Sequence, residues 1–307
     1  MKNFLEPDKT WESFGINSQE DFLKRFVTIG KFHKNVPEEI VLDYEIVERL
    51  QFYSYYKYAL VDEAFARATK IFEAGVNLKI RSLKLEKEKG FESLNAKIKK
   101  LENFTSSELN KQWNHSREIR NIFAHHEANR LFGSTLLNSF TYFINMINTL
   151  FLEKNEILNH EKALLELQTE TIKYEKGLFI MKYKGKQLLI WSCIPYTIST
   201  NIEKNISLWC FHPVYKNKEL KKLNDFPPPI IEALKNINID NDIFKAKCVE
   251  NNDEIQIQRT NKTENIIQYE IYNQTMLNAE TELKQLYWNI LEKKIGNEVS
   301  KFLYQNW

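Results

Sequence analysis

Apolar residues in the first half of the chain recur at intervals of three and four, the spacing that places them on one face of a helix. Phe65, Ala68 and Phe72 show this spacing. Residues 41–82 contain no proline and predict one long helix, or two helices with a short break. Residues 136–152 are strongly apolar and predict another helix, either buried or facing a partner.

Beyond about residue 170 the pattern changes to short apolar and β-branched segments that are separated by turn residues, which is typical of strands. Hairpins are predicted around residues 184–186 and 251–253. The predicted strands are residues 178–183, 187–194, 206–211, 244–249, 254–258 and 266–272. Residues 230–237 predict a short helix, and residues 277–305 predict a closing helix.

These two patterns predict an α+β protein. We expect residues 1–160 to form an all-α bundle of four or five helices. We expect residues 161–307 to form a smaller α+β domain that contains a sheet. A chain of 307 residues is long enough for one large domain or two ordinary ones.

The formal net charge is only +2, so the chain as a whole does not have the strong positive charge of many nucleic-acid-binding proteins. Any RNA affinity must come from local patches. Residues 79–100 contain eight basic and three acidic side chains. They predict either a solvated helical face or an electrostatic track for a phosphate backbone. In the second interpretation, Lys97, Lys99 and Lys100 bind the substrate.

Three cysteines are present, and their wide spacing predicts neither a paired zinc motif nor a disulfide framework. Carboxylate and cysteine–histidine clusters typical of metal sites are also lacking in the sequence, so we expect no metal and no other cofactor. The N-terminal segment has no apolar core of the signal-peptide type, and no apolar stretch approaches the roughly 18 residues of a membrane helix. These features predict a cytoplasmic protein with no membrane partner.

Residues 117–127 carry the side chains that metal-free RNA cleavage requires. On a helix, Arg117, Asn121 and His125 would lie four residues apart on a polar face, flanked by Arg120. The apolar back of this helix would be formed by Ile119, Ile122, Phe123 and His126. RNA supplies its own nucleophile, the 2′-OH. A histidine can move that proton, and an arginine can neutralise the charge that builds on the phosphoryl oxygens.

This segment resembles the motif of the HEPN superfamily of ribonucleases. In that motif an arginine is followed, after four to six residues, by a histidine, often with asparagine after the arginine and alanine before the histidine. The matching residues are Arg120-Asn121-Ile122-Phe123-Ala124-His125. The doubled histidine, His125-His126, also looks like the motif of abortive-infection proteins. The resemblance extends over the helical context of residues 40–155 and does not cover the second half of the chain.

The resemblance implies a four- or five-helix bundle, a homodimer in which two copies of the motif face each other, and metal-independent endoribonuclease activity that leaves 2′,3′-cyclic phosphate ends. Arg120 and His125 would be the catalytic pair, and Asn121 would orient the site by hydrogen bonding. Such proteins act in antiphage defence, as toxins or as guided immune effectors. RNA and a second copy would be the partners, and an antitoxin or sensor protein is a further candidate.

Several of these positions also have a purely structural interpretation. Arg117 could contact a phosphate or form a surface salt bridge. Arg120 and Asn121 could bridge two helices. Glu73 lies in the middle of a predicted helix and could brace Arg120, although a solvated glutamate is the preferred interpretation.

Arg120 and His125 are five residues apart, about 140° around a helix, so they converge only if the long arginine side chain swings round or if a partner subunit completes the site. Dimerisation is therefore expected to be part of the mechanism. The main alternative is a non-catalytic module that binds a nucleotide or RNA, or that maintains a dimer. Another alternative is an effector subunit of a larger guided defence complex. The second domain is expected to recognise the RNA substrate, a trigger ligand or an inhibiting partner.

Overall fold

The computed structural model describes residues 4–87, 90–124, 133–215, 220–240 and 242–307. The chain divides into two compact units, residues 1–158 together with Trp307, and residues 159–306. The first unit is helical, and the second is built around a β-barrel.

The first unit is organised around its longest helix, α3. Its helices are α1 (Gln19–Phe26), α2 (Glu38–Tyr53), α3 (Leu60–Ser82), α4 (Leu94–Lys100), α5 (Ser107–Ala124) and α6 (Ser139–Leu150), and α7 (Lys154–Thr171) follows them. Helix α3 packs against α2, α5 and α6. The ring of Phe65 contacts those of Phe123, Phe140 and Phe143 at centroid distances of 4.8 to 5.4 Å. These aromatic contacts join α3, α5 and α6 in one core.

The region predicted as one long helix or two forms two helices, α2 and α3. The N-terminal segment satisfies the backbone groups that the break between them would otherwise leave unpaired. The Asp8 amide donates to the Tyr55 carbonyl, and the Asp8 carboxylate accepts from the Tyr58 amide. The Trp11 indole donates to the Ser54 carbonyl at 2.8 Å. These hydrogen bonds stabilise the break between the two helices, because buried backbone polar groups need partners.

The second unit contains a closed antiparallel barrel in which each strand pairs with the next and β6 pairs with β1. The strands are β1 (Phe179–Tyr183), β2 (Lys186–Ile198), β3 (Ile206–Pro213), β4 (Ile230–Asp240), β5 (Ile243–Cys248) and β6 (Glu254–Arg259). Apolar side chains from alternate positions, including Met181, Trp209 and Phe244, fill its interior. Helices α8 (Thr263–Asn278) and α9 (Thr281–Gln305) complete the unit.

The predicted fold class was wrong for the second half of the chain, where a closed barrel replaces the expected small sheet. Residues 230–237, predicted as a helix, belong to β4, which pairs with both β3 and β5 and so closes the sheet. Their glutamate, alanine, leucine and lysine favour helix, but strand pairing overrides that weak preference. Residues 266–272, predicted as a strand, lie in α8, whose buried residues Tyr272 and Thr275 are three apart.

Other predictions for this half were correct. The two hairpins are β1–β2 and β5–β6, and the third predicted strand is β3. The closing helix is α9, which begins four residues later than predicted. These segments combine strong periodicity with clear turn residues, so local sequence was sufficient to identify them.

His212 on β3 is buried beside another titratable group. Its Nε2 atom lies 3.6 Å from the Sγ atom of Cys210, and its ring lies 5.0 Å from that of Trp191. Burial lowers the pKa of His212 to about 4, because the charged imidazole would lose its hydration. The imidazole is therefore neutral in the folded protein at pH 7.

Acidification should destabilise the second unit through His212. The unfolded chain takes up this proton near pH 6.5 and the folded chain only near pH 4, so the stabilisation is present above pH 6.5 and is lost as the pH falls. We expect a loss of about 2 to 3 kcal/mol in the free energy of unfolding, measured by urea titration between pH 7 and 4. His212→Gln is the control, since carboxylates also titrate near pH 4. An equal pH dependence in both proteins would contradict the assignment.

Candidate functional site

Arg120 lies on the side of α5 that faces the bundle. The buried residues of this helix include Leu109, Trp113 and Ser116, and Phe123 contacts the core ring of Phe65. Arg120 follows Ser116 by four residues and precedes Phe123 by three, which is the spacing of one helical face. Its side chain therefore projects from the inward face of α5. The sequence had instead placed Arg120 beside an outward polar face.

The predicted apolar back of this helix is wrong in one position. Ile122 is 52% exposed, although it was expected to face the core with Phe123. The true inward face of α5 is therefore rotated relative to the predicted one. That rotation brings Arg120 towards the core and leaves Ile122 outside it.

Glu73 on α3 holds the Arg120 guanidinium. Its Oε2 atom accepts from Nε at 2.8 Å and lies 2.6 Å from Nη2. Both side chains are mostly shielded, with 24% of the arginine and 30% of the glutamate exposed. The preferred interpretation of Glu73 as a solvated residue was wrong. The pair joins two helices and fixes the orientation of the guanidinium, since one carboxylate oxygen contacts two of its nitrogens.

Asn121 is the next contact of Arg120. Nη1 of Arg120 donates to Oδ1 of Asn121 at 3.4 Å, a long hydrogen bond. Glu73 therefore takes the Nε edge of the guanidinium, and the edge bearing Nη1 lies beside Asn121. A phosphate would have to bind on this second edge, where the arginine fork matches two of its oxygens.

His125 and His126 lie outside the described residues, as do residues 127–132. The structure therefore describes two of the three predicted catalytic residues, Arg120 and Asn121, which it brings into contact.

Arg117 makes its contacts within its own helix. Its Nη2 lies 3.3 Å from the carboxylate of Glu118, and its Nε donates to Asn114 Oδ1 at 3.4 Å. This is the surface salt bridge that the sequence offered as an alternative to phosphate contact. Only the Glu118 carboxylate is largely exposed, at 61% against 21% for Arg117, and a pair with one partner in solvent adds little to stability.

Two of the three candidate substrate lysines are engaged within the first unit. Lys97 Nζ donates to Asn77 Oδ1 at 2.7 Å. Lys100 Nζ lies 2.7 Å from both the Leu85 carbonyl and the Glu92 carboxylate. The third, Lys99, is exposed. Lys97 and Lys100 therefore brace α4 against α3 and the segment that follows it.

Lys97 and Arg120 are anchored to the same face of α3. Their partners, Asn77 and Glu73, are four residues apart and so lie about one helical turn from each other. A surface cavity of about 220 Å³ opens beside Lys97. Its lining residues are Asn77, Ile80, Arg81, Glu86, Lys87, Gly90, Glu92 and Lys97. Three basic and two acidic side chains in this lining give it only a weak positive excess.

Sequence reasoning missed the Asn77 contact and undervalued Glu73. The available signal was a glutamate inside the apolar run Ile71-Phe72-Glu73-Ala74-Gly75-Val76, where a solvated residue is unexpected. Its partner is 47 residues away in sequence, so no local pattern could identify it.

Burial disfavours the thiolate form of the three cysteines, which is the form that acts as a nucleophile. All three are buried, free thiols. Burial raises the pKa of Cys210 to about 12 and that of Cys248 to about 11, because a thiolate would lose its hydration. Within the described ranges, no group of three or more His, Cys, Asp or Glu side chains is arranged to hold a metal ion.

No protein-family model, curated protein or solved structure matches the chain. In the described part of the chain, none of the helices combines the length and the apolar character needed to cross a membrane.

Proposed function

We propose that the protein is a metal-independent endoribonuclease that uses Arg120, Asn121 and His125. The observation that carries the proposal is the guanidinium of Arg120, which lies on the inward stripe of α5 and is fixed by Glu73. Shielding an arginine from water costs free energy unless its donors are paired. A side chain kept in such a position is suited to a task that needs an oriented positive charge.

That task is the stabilisation of a phosphoryl group during RNA cleavage. His125 takes the proton of the 2′-OH, and the oxygen so formed attacks the adjacent phosphorus. The bond to the 5′-oxygen breaks, and that oxygen receives a proton from a protonated histidine or from water. The products are a 2′,3′-cyclic phosphate and a 5′-hydroxyl end. Arg120 neutralises the charge that develops on the phosphoryl oxygens, and donors fixed in advance do this most effectively.

A homodimer is part of the proposal. Arg120 and His125 are five positions apart in sequence. The Nε edge of Arg120 is already directed to Glu73 on α3. The histidine of a second copy completes the site more readily than that of the same chain. We further propose that the protein is cytoplasmic, as its free thiols suggest, and that an antitoxin or sensor protein restrains it as a defence or toxin effector.

The rival function is a non-catalytic module in which the Glu73–Arg120 pair only joins α3 to α5. The geometry of the pair also suits this role, because the contact does bridge two helices. The two functions differ in whether loss of Glu73 lowers the rate of RNA cleavage.

Substitution of Glu73 tests whether this residue orients Arg120 for catalysis or only joins α3 to α5. Glu73→Ala should lower kcat by about 10- to 100-fold, because the guanidinium loses its orientation. Glu73→Gln retains an oxygen acceptor and should restore most of kcat. Thermal unfolding of both variants is measured alongside, so that activity is expressed per folded molecule. A purely structural Glu73 would give folded variants with wild-type kcat.

The direct test of the reaction is cleavage of total RNA and of a labelled tRNA pool in EDTA, followed by analysis of the ends. We expect cleavage that EDTA does not inhibit and products that carry 2′,3′-cyclic phosphates. Full inhibition by EDTA, or 3′-hydroxyl products, would reject the proposed chemistry. Absence of cleavage by a folded dimer would favour the binding module or an effector that is inactive until a trigger or partner releases it.

A further inference from the structure

The outer wall of the barrel is covered on one side. Helix α8 packs Tyr272 against an outward cluster that includes Leu189 on β2. Helix α9 packs Tyr287 and Leu291 against Cys210 on β3. These contacts cover β2 and β3 with apolar side chains, together with Ile180 of β1 and Ile231 of β4.

The strands on the other side present a polar surface, which we call the lysine face. Inward residues such as Phe244, Ala246 and Ile257 fill the barrel core. The residues between them point outward, because side chains alternate along a strand. The lysine face consists of Lys182, Lys235, Asn238, Lys245, Lys247, Glu254 and Gln256. It contains four lysines, two amides and one carboxylate.

Strand register sets these side chains in two rows. In the first row, Gln256 on β6 lies between Lys182 on β1 and Lys245 on β5. Asn238 on β4 follows Lys245. Lys182 Nζ and Gln256 Oε1 are 3.5 Å apart. The first row therefore alternates lysines and amides across four strands.

The second row sets two like charges directly opposite each other. Lys235 on β4 pairs in register with Lys247 on β5, and Lys247 pairs with Glu254 on β6. Like charges in this position destabilise a sheet. Glu254 offsets them weakly, since it is 82% exposed and lies 4.0 Å from Lys247. An anion that bridges the two lysines would remove the repulsion.

The spacing suits a repeating anion. Lysines on adjacent strands lie about 5 Å apart, and Lys245 and Lys247 on one strand lie about 7 Å apart. A single phosphate or carboxylate would meet only one or two of these charges, whereas a nucleic-acid strand meets them all. The amides of Asn238 and Gln256 add hydrogen-bond donors and acceptors for the sugars and phosphates. The next row carries Asp240 opposite Ile243, so the positive surface ends there.

We propose that the lysine face binds the phosphate backbone of RNA and so holds the substrate for cleavage. The choice of RNA as the polyanion rests on the proposed function, whereas the surface itself follows from strand register and charge. Recognition is by backbone, so we expect little dependence on sequence. The second unit is then the part of the enzyme that captures the RNA.

The test compares two variants of equal charge in the 307-residue His125→Ala chain, which should cut RNA too slowly to disturb the binding measurement. The face variant carries Lys→Gln at Lys182, Lys235, Lys245 and Lys247. The control variant carries Lys→Gln at the exposed Lys204, Lys222, Lys293 and Lys301. Each removes four positive charges and takes the formal net charge from +2 to −2.

Binding is measured by fluorescence anisotropy with a labelled single-stranded RNA of about 20 nucleotides over a range of salt. At 0.1 M salt we expect at least a tenfold rise in Kd for the face variant and less than a threefold rise for the control. The slope of log affinity against log salt should become shallower by about 0.7 for each phosphate that the variant no longer neutralises. Equal affinities of the two variants would overturn the proposal. Binding of both variants to anionic lipid vesicles is measured as well. A face variant that binds RNA normally but no longer binds the vesicles would also overturn the proposal.

Cleavage assays on chains that retain His125 keep the two proposals separate. With an active enzyme, the face substitutions should raise KM and leave kcat within about twofold, because the lysines act in binding and not in the chemical step. If the chain cuts no RNA but its affinity still depends on the face, the reaction is wrong and the face stands. If it cuts RNA with unchanged KM in the face variant, the face is wrong and the reaction stands.

Discussion

Arg120→Ala should lower the rate of RNA cleavage by about a thousandfold or more, which is the range for loss of an arginine that stabilises phosphoryl transfer. It should also lower the free energy of unfolding by about 1 to 3 kcal/mol, because the partly shielded carboxylate of Glu73 loses its partner. The measurements are kcat under substrate saturation and urea unfolding. Arg120→Lys keeps the charge and loses the planar fork, so it should recover stability more than activity.

Arg67→Ala is the matched control for Arg120→Ala. Arg67 also links two helices through a carboxylate, with its Nη2 atom 2.7 Å from Asp43 on α2. Its removal should cost about 1 kcal/mol or less, because 37% of Arg67 and 41% of Asp43 are exposed. The cleavage rate should stay within about threefold of wild type, since Arg67 lies in the α2–α3 contact. Similar losses of activity in the two variants would show that helix packing explains the effect, and Arg120 would lose its assigned role.

The second large effect is expected for His125→Ala. Loss of the group that transfers the proton should reduce kcat by about 100- to 10,000-fold, while Kd for RNA stays within about threefold. His115→Ala is the control, because His115 lies on α5 and its side chain is 63% exposed. The measurements are single-turnover cleavage and anisotropy. A parallel loss of binding and cleavage would identify His125 as a binding residue and favour the non-catalytic module.

The helical character of the first unit could be predicted from sequence because its helices have regular apolar spacing. The number of helices was wrong, since the described residues form α1 to α6 before α7 rather than the expected four or five helices. The hairpins of the second unit were also recognisable from their turns. The closed barrel was not, since closure depends on β4, whose residues prefer helix when taken alone. Residues 230–240 form a strand because they pair with β5, which follows closely in sequence, and with β3, which ends well before β4 begins.

For the candidate site, the sequence suggested a chemistry but not a geometry. The order of arginine, asparagine and histidine along residues 120–125 led to the proposed reaction class, which stays a prediction. The direction of Arg120 was missed because Ile119 and Ile122 suggested a different apolar face. Glu73 could not be assigned as its partner, because the contact joins two helices across 47 residues.

Subunit mixing tests the composite site most directly. Arg120→Ala and His125→Ala chains, each inactive, are mixed under conditions that allow exchange, and cleavage is measured in EDTA. If arginine and histidine come from different copies, each mixed dimer regains one intact site, and a random mixture should reach about a quarter of the wild-type rate. A mixture of folded, exchanged dimers that remains as inactive as its parents would contradict the composite site.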